Sequence, residues 1–236
     1  MKEAGKIIYL ILKFIKDLTI KGVTTEEIND ICSIIIEKRG YISASLNYKK
    51  FPKSICTSIN NIICHGIPKE TKIKTGDIVN IDITILKNEW HADSSMIYYI
   101  GYVKSINIKK IIRVSIEVIK KAIKIVKKNT LMYKIGKIIN CYSKRFNYSI
   151  VKNYCGHGIG KMFHTYPNII HYYQKYNEEI IKKNMCFTIE PMINEGMYKT
   201  RILPDKWSVS TKDYTISIQF EHTIIVKVNK CEIFTQ

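Results

Sequence analysis

The order of the predicted secondary-structure elements is the feature of this sequence that most restricts its fold. Apolar residues recur at helical spacing in four segments: 3–18, 25–38, 108–128 and 133–145. Strand patterns follow each pair of helices, first over residues 77–86 and 91–102, and then over 150–154, 185–193 and 214–228. Because the order helix, helix, strands occurs twice, we predict an α+β fold of two similar halves, roughly 1–104 and 105–236, that share one sheet.

The length and composition are those of one globular unit. The chain has 236 residues, of which 46% are hydrophobic, and no linker rich in Pro, Gly or Ser divides it. We therefore expect a single domain over residues 1–236. The longest early apolar run, residues 7–12, is too short to span a membrane, and the lysines after it favour an amphipathic helix over a signal peptide. We expect no association with membranes.

Cysteine usage indicates the compartment. The seven cysteines are an odd number, and no two of them are spaced as Cys-x-x-Cys. This pattern argues against a disulfide framework and against a zinc finger. We therefore expect a protein of the reducing cytoplasm. Separately, we expect a monomer.

The chain is strongly basic, with 38 Lys and Arg against 20 Asp and Glu and a net charge of +18. A nucleic-acid-binding surface is one explanation. Our interpretation is instead that the lysines are spread along the whole chain together with many Ile and Asn, as the codon usage of an AT-rich genome produces. We see no basic cluster interleaved with aromatic residues. A weak attraction to ribosomal RNA is the alternative that stays open.

Two aspartates lie on a predicted hairpin. Residues 80–86 alternate polar and apolar side chains, as a half-buried strand does, and Lys87 with Asn88 can form a two-residue turn. That turn places Asp82 directly opposite Asp93, with their β carbons about 4.5–5.5 Å apart. Two carboxylates in that position need a counter-charge, and a hard divalent cation supplies one. The alternative is a slipped register in which both side chains face water.

Three more candidate ligands lie in the second half. His157 stands between glycines 156, 158 and 160, where missing β carbons allow close approach, although such a turn can also hold an incidental His. Glu190 and Glu221 lie in apolar strands, where an unpaired buried Glu costs several kcal/mol or becomes neutral. For Glu221 a water-facing strand is the alternative, because residues 217, 219, 221 and 223 share one polar face.

Charge counting favours a metal site. Four carboxylates carry four negative charges, which two divalent ions would neutralise. One imidazole among oxygen ligands suits manganese, iron, cobalt or zinc better than calcium. Two such ions about 3.5–4 Å apart form the site of many hydrolases, including aminopeptidases.

Five short motifs carry a family resemblance, in a matching order and spacing: residues 51–54 (FPKS), 64–68 (CHGIP), 76–82 (GDIVNID), 156–160 (GHGIG) and 188–192 (TIEPM). Through them the chain resembles the type I methionine aminopeptidases over nearly its whole length. The resemblance implies the pita-bread fold, an α+β fold whose pseudo-symmetric halves share a curved antiparallel sheet with helices on the outside. It also implies removal of the initiator methionine from nascent polypeptides whose second residue is small.

The resemblance assigns roles to individual residues. Asp93 and Glu221 would bridge two metal ions, His157 and Glu190 would complete the shell of the tighter ion, and Asp82 would hold the second. Glu190 also matches the proton shuttle of the family. The implied catalytic histidines are His65, near the scissile nitrogen, and His164, near the carbonyl oxygen. The implied substrate-binding residues are those two histidines together with Tyr48, Phe51, Cys56, Phe163 and Trp207.

Three positions depart from the commoner family pattern: Ser45, Lys49 and Phe51 stand where Cys, His and Tyr are usual. Phe51 keeps the apolar wall of the methionine pocket and loses a hydroxyl, and Ser45 and Lys49 alter the rim of that pocket. One rival function is that of a proline-specific aminopeptidase or dipeptidase of the same fold, although these usually carry a large N-terminal domain for which this chain has no room. Another is that of a basic relative that has lost its ligands and binds ribosomes or RNA, although every expected ligand is present here.

Overall fold

The four predicted helices are present in the computed structural model, which describes residues 1–102, 105–175 and 178–236. They are α1 (Lys2–Ile15), α2 (Thr25–Lys38), α3 (Ile106–Lys124) and α4 (Tyr133–Lys144). Side-chain caps explain two of the starts. The Thr24 side chain accepts a hydrogen bond from the Glu27 N–H, and Glu27 reaches back in a capping box. The Ser105 side chain accepts a hydrogen bond from the Ile108 N–H, so α3 begins at Ile106, two residues before its predicted start.

The strands are more numerous and shorter than predicted. In chain order they are β1 (Ile42–Ser43), β2 (Cys56–Ile59), β3 (Ile62–Cys64), β4 (Ile78–Lys87), β5 (Trp90–Tyr99), β6 (Ser149–Ile150), β7 (Gly156–Gly158), β8 (Thr165–Ile169), β9 (Cys186–Ile189), β10 (Met192–Asn194), β11 (Thr200–Ile202), β12 (Val209–Thr211), β13 (Ser217–Gln219), β14 (His222–Val226) and β15 (Cys231–Ile233). All pairings among them are antiparallel. The largest group is the sheet β15-β14-β9-β7-β8, and β4 pairs with β1, β2 and β5 in a second sheet.

The predicted register of the hairpin is wrong by two positions. The turn residues are Asn88 and Glu89, which both have positive φ (48° and 66°), as a type I′ turn requires. Consequently Asp93 pairs with Thr84, and Asp82 pairs with Ser95. A slip of two residues keeps every side chain on its face of the sheet, so the two aspartates still lie on one face.

Two predicted long strands are each broken at a glutamate. The segment 185–193 divides into β9 and β10 because Pro191 has no N–H to continue the ladder. The segment 214–228 divides into β13 and β14, where the Glu221 N–H bonds to the Ser95 carbonyl instead. The predicted strand 150–154 is also wrong, since only its first residue belongs to β6.

The two breaks lie side by side. Ile189 pairs with His222 on one side of them, and Met192 pairs with Gln219 on the other. This register places Glu190 directly opposite Glu221. At that point the segments β9–β10 and β13–β14 each pass between the five-stranded sheet and the sheet β13-β10-β6.

The hydrophobic core consists of two large clusters. One packs α1 and α2 against β4 and β5 and involves residues between 4 and 100. The other packs α3 and α4 against β9, β13 and β14 and involves residue 78 and residues between 111 and 226. Across the seam between the clusters the Asn80 side chain donates to the Gln219 carbonyl, at 2.9 Å. The predicted boundary at residue 104 falls on residues 103–104, outside the described residues. None of the described helices is long and apolar enough to span a bilayer.

Candidate metal centre

The five predicted ligands meet at the seam. Asp82 and Asp93 come from β4 and β5, His157 comes from β7, Glu190 follows β9 and Glu221 precedes β14. One ligand atom each from Asp93, His157 and Glu221 lies within 4.8 Å of the other two. His157 Nε2 is 3.7 Å from Asp93 Oδ2 and 3.7 Å from Glu190 Oε1. Asp82 contacts Asp93 through its side chain, so all five groups share one centre.

The electrostatics of this cluster demand positive charge. Burial and the charges of Asp93 and Glu190 raise the pKa of Asp82 well above its ordinary value, and the same causes raise the pKa of Glu221. Burial raises the pKa of Glu190 to about 7, although His157 opposes the shift. Burial lowers the pKa of His157, but Asp93 and Glu190 outweigh it and raise this pKa overall. Without a bound cation, the carboxyl groups of Asp82, Glu190 and Glu221 therefore keep their protons to higher pH than free carboxyl groups do.

The donor set fits divalent ions. The Oδ1 atom of Asp82 is buried and has no hydrogen-bond partner among the described residues. Four carboxyl groups and one imidazole are the oxygen-rich, mixed ligands that manganese, iron, cobalt and zinc accept. The polar face around Glu221 points into the seam and not to water: Ser217, Gln219, Glu221 and Thr223 are all buried.

A cavity of about 440 Å³ opens onto the centre. All predicted site residues line it: the five ligands together with Tyr48, Phe51, Cys56, His65, Phe163, His164 and Trp207. The three positions that depart from the family pattern, Ser45, Lys49 and Phe51, line it as well. Sequence reasoning missed the remaining lining residues, Thr84, Asn153, Tyr154, Cys155, Thr165, Asn168 and Met192. Tyr154 and Cys155 could have been found, since they directly precede the GHGIG motif.

Aromatic rings build the wall of this cavity. The rings of Phe51 and Trp207 meet edge to face, with centroids 5.2 Å apart. Tyr48 packs on Phe163 at 4.7 Å, and the Tyr48 hydroxyl is 2.9 Å from His164 Nδ1. The wall is therefore apolar and rigid beside the polar metal ligands.

Both predicted catalytic histidines are neutral near pH 7. Burial lowers the pKa of His164 to about 4, and the nearby His157 adds to the shift. Burial also lowers the pKa of His65. The backbone of His65 has φ 55°, a left-handed conformation that costs a non-Gly residue free energy and is found most often at functional sites.

Known proteins are similar to this chain in sequence and in fold. The sequence model of metallopeptidase family M24 matches residues 1–228. A methionine aminopeptidase of Buchnera aphidicola subsp. Acyrthosiphon pisum (strain APS) is 47% identical over 237 residues, which cover 100% of this chain and 89% of that relative. The crystal structure of methionine aminopeptidase from Rickettsia prowazekii matches with a TM-score of 0.97 at 45% identity, over 100% of this chain and 95% of that one.

The chain belongs to the methionine aminopeptidases of metallopeptidase family M24.

Membership confirms the pita-bread fold and the assignment to metal-dependent aminopeptidases, which are hydrolases. The rival fold relatives are more distant. Prolidase from Pyrococcus furiosus matches with a TM-score of 0.82 at 19% identity, and the chain covers 62% of it. That likeness shows the fold alone, so the proline-specific alternative is not favoured.

Hydroxyl and amide groups hold the ligands of this methionine aminopeptidase site in place. Thr188 Oγ1 accepts from the His157 N–H at 3.0 Å and donates to Glu190 Oε1 at 2.8 Å. Gln219 Nε2 donates to the other oxygen, Glu190 Oε2, at 3.2 Å. Thr84 Oγ1 donates to Asp93 Oδ1 at 2.8 Å. Sequence reasoning missed all three, although each lies two residues from a ligand and therefore on the same strand face.

The glycines beside His157 are required by the close approach of neighbouring strands. A β carbon on Gly156 would lie 2.4 Å from the Thr188 carbonyl oxygen, and one on Gly158 would lie 2.2 Å from the Tyr166 carbonyl oxygen. Both contacts are far shorter than a carbon–oxygen van der Waals contact. The glycines thus allow β7 to pack closely between β8 and β9. This packing fixes the position of the His157 ring relative to the two neighbouring strands.

We expect Gly158→Ala to destabilise the protein by about 1–3 kcal/mol, because the added methyl must displace the β8 backbone. The same displacement shifts His157 and weakens metal binding. Urea unfolding and calorimetric metal titration measure the two effects. Gly160→Ala is the matched control: its β carbon would meet only the Trp90 ring, at 3.6 Å, an ordinary contact. Equal stability and metal affinity in both variants would contradict the role of the close approach.

Proposed function

We propose that this chain removes the initiator methionine from nascent polypeptides whose second residue is small, using two divalent ions. The observation that carries this proposal is the convergence of Asp93, His157 and Glu221 within 4.8 Å at the end of an aromatic cavity. Membership in the methionine aminopeptidases supplies the reaction class.

The ligand roles follow from the family resemblance. Asp93 and Glu221 would contribute ligands to both ions. His157 and Glu190 would complete the ligands of one ion, and Asp82, with its unpartnered Oδ1, those of the other. When bound here, manganese, iron, cobalt or zinc acts as a Lewis acid that lowers the pKa of a water molecule and polarises a carbonyl.

Glu190 moves the proton. Its carboxylate lies in the cavity beside His157 and matches the proton shuttle of the family, so it would take up the proton of the attacking water and return it to the leaving amine. Thr188 and Gln219 hold the two carboxylate oxygens in position. The neutral rings of His65 and His164 hydrogen-bond the peptide, and Tyr48 orients His164 through Nδ1.

The aromatic cavity accepts the methionine side chain. Methionine is unbranched and polarizable, and its sulfur makes favourable contacts with aromatic rings. Tyr48, Phe51, Phe163 and Trp207 supply such rings, and the buried thiol of Cys56 supplies a small apolar surface. This lining supports selectivity for methionine over larger or charged residues.

We also propose the organisation and setting of the protein. It acts as a single catalytic domain, 1–236, with one core cluster for each half. It works as a monomer in the cytoplasm and can associate with ribosomes, where nascent chains become available. The seven cysteines are all free, which supports a reducing compartment.

The peptide specificity is tested on metal-stripped protein with manganese, iron, cobalt and zinc restored separately. We expect release of Met from Met-Ala-Ser, no cleavage of an Ala-Pro peptide, and a rate at least about a hundredfold lower for Met-Lys-Ser, whose long second side chain clashes at the site. Released amino acids are quantified by chromatography. Cleavage of the Ala-Pro peptide in preference to Met-Ala-Ser would support the proline-specific alternative.

A further inference from the structure

Most of the net charge of this protein lies in one short segment. Residues 105–150 contain twelve basic residues and one acidic residue, out of 38 and 20 in the whole chain. The other 26 basic residues are spread along the rest of the chain, as expected, but there they are accompanied by 19 of the 20 acidic residues. Base composition acts on the whole chain alike, so it does not by itself place twelve cations and one carboxylate in a single segment.

These cations lie on or between two helices that pack against each other, and we call the set the basic face. All twelve are exposed: six on α3, four on α4 if its C-cap residue Arg145 is counted, and two between the helices, namely Lys109, Lys110, Arg113, Lys120, Lys121, Lys124, Lys134, Lys137, Lys144, Arg145, Lys127 and Lys128. At 3.6 residues per turn, the six on α3 lie within an arc of about 120° and the four on α4 within about 100°. The opposite faces of both helices are buried in the core.

The basic face holds one counter-charge, Glu117, for its twelve cations. Arg113 pairs with Glu117 at 3.2 Å, and the Tyr142 hydroxyl also bonds to Glu117. Within the described part of the chain, the other eleven cations make no ion pair. Unpaired cations in this density repel one another and attract a polyanion.

Aromatic rings are interleaved with the cations, contrary to the expectation from sequence. Lys121 lies over the Tyr142 ring at 4.9 Å, and Lys110 lies over the Phe146 ring at 5.6 Å. Lys137 lies over the Tyr173 ring at 5.5 Å. A lysine lies over one face of each of these rings, so the surface presents charge there and not an open ring face. The surface is suited to phosphates and not to single-stranded bases.

We propose that the basic face of α3 and α4 binds the phosphate backbone of double-stranded RNA without sequence preference. The choice of RNA rests on the proposed function, since nascent polypeptides emerge beside structured ribosomal RNA. A lipid surface fits less well, because binding there also needs apolar side chains that insert. Ile106, at the first turn of α3, is the one large apolar side chain that the described residues of α3 and α4 expose.

The basic face is separate from the peptidase site. None of its twelve cations lines the cavity. Substitutions on it therefore leave cleavage of Met-Ala-Ser unchanged, and RNA binding and peptidase activity can be scored independently.

The test uses the full chain and a 20-base-pair RNA duplex in fluorescence anisotropy between 50 and 200 mM salt. The quadruple variant Lys120→Gln, Lys121→Gln, Lys124→Gln, Lys128→Gln is expected to bind about tenfold or more weakly, with a salt slope smaller by about 3. The matched control, Lys13→Gln, Lys16→Gln, Lys21→Gln, Lys38→Gln, removes the same charge from exposed positions of the first half and should weaken binding less than twofold.

Equal weakening in both variants would reduce the effect to net charge and overturn the proposal. Tighter binding to a DNA duplex of the same sequence, or to vesicles containing phosphatidylserine, would also overturn it. Absence of RNA binding by a protein that still cleaves Met-Ala-Ser would overturn this inference and leave the proposed function intact. Absence of Met-Ala-Ser cleavage by a protein that still binds RNA would overturn the proposed function and leave this inference intact.

Discussion

Glu190→Gln is expected to lower kcat for Met-Ala-Ser by about 10²- to 10⁴-fold, the usual contribution of a general acid–base group. The substitution keeps the shape of the side chain and its hydrogen bonds to Thr188 and Gln219 can be largely remade. It removes the ability to take up a proton. The fold should persist, because the amide relieves the like-charge contact with Glu221. Steady-state kinetics, circular dichroism and metal content measured together separate these effects.

The control for this substitution is Glu70→Gln, the same chemical change at an exposed carboxylate outside the cavity. Its kcat should stay within twofold of the unmodified chain. Full turnover by Glu190→Gln with a normal metal content would refute the proton-transfer role. Loss of metal alone would instead show that Glu190 acts only as a ligand.

The second expectation concerns the metal-free protein. Burial raises the pKa of Glu190 from 4.5 to about 7, so the folded state holds a proton that the unfolded state releases. Stability from this group is therefore present below pH 4.5 and is lost as pH rises to 7. The loss is about 3 kcal/mol at 1.36 kcal/mol per pKa unit. Metal-free Glu190→Gln should thus gain about that much relative to the unmodified chain over this range.

Comparison of the two proteins measures Glu190 together with its effect on His157 and Glu221, whose pKa values it raises. Urea unfolding at pH 4.5, 5.5, 6.5 and 7.5 in the presence of a chelator measures the difference. Adding manganese at pH 7.5 should reverse the order, since metal binds the folded state and replaces the proton. A difference that does not change with pH would show that the Glu190 carboxyl is not held protonated by burial.

The helices could be predicted from the sequence because apolar residues repeat over three or more turns. Most strands could not. Strands such as β7, β10 and β13 contain three residues, too few to show an alternating pattern. Their positions are set by partners distant in sequence, as where Val209 of β12 pairs with Cys64 of β3. Local sequence does not encode such pairings.

The metal cluster was predicted for a reason that only partly holds. Opposed carboxylates were expected in the hairpin at Asp82 and Asp93, but the turn lies one residue later and pairs Asp93 with Thr84. The opposed pair in this structure is Glu190 and Glu221, on strands 31 positions apart in sequence. Four of the five proposed ligands, Asp82, His157, Glu190 and Glu221, stand out in the sequence because each interrupts an apolar or glycine-rich segment, whereas the supporting threonines resemble ordinary strand residues.

The paired breaks at Glu190 and Glu221 limit how the chain can vary in length. Each strand is anchored by a ladder on both sides of its glutamate, so neither can slide without the other. Inserting one residue into β9 or β14 would turn a carboxylate to the opposite side, and inserting two would carry it about 6.6 Å along the strand. Insertions and deletions in these two strands should therefore abolish activity, whereas the connection 227–230 between β14 and β15, which does not line the cavity, offers room for new sequence.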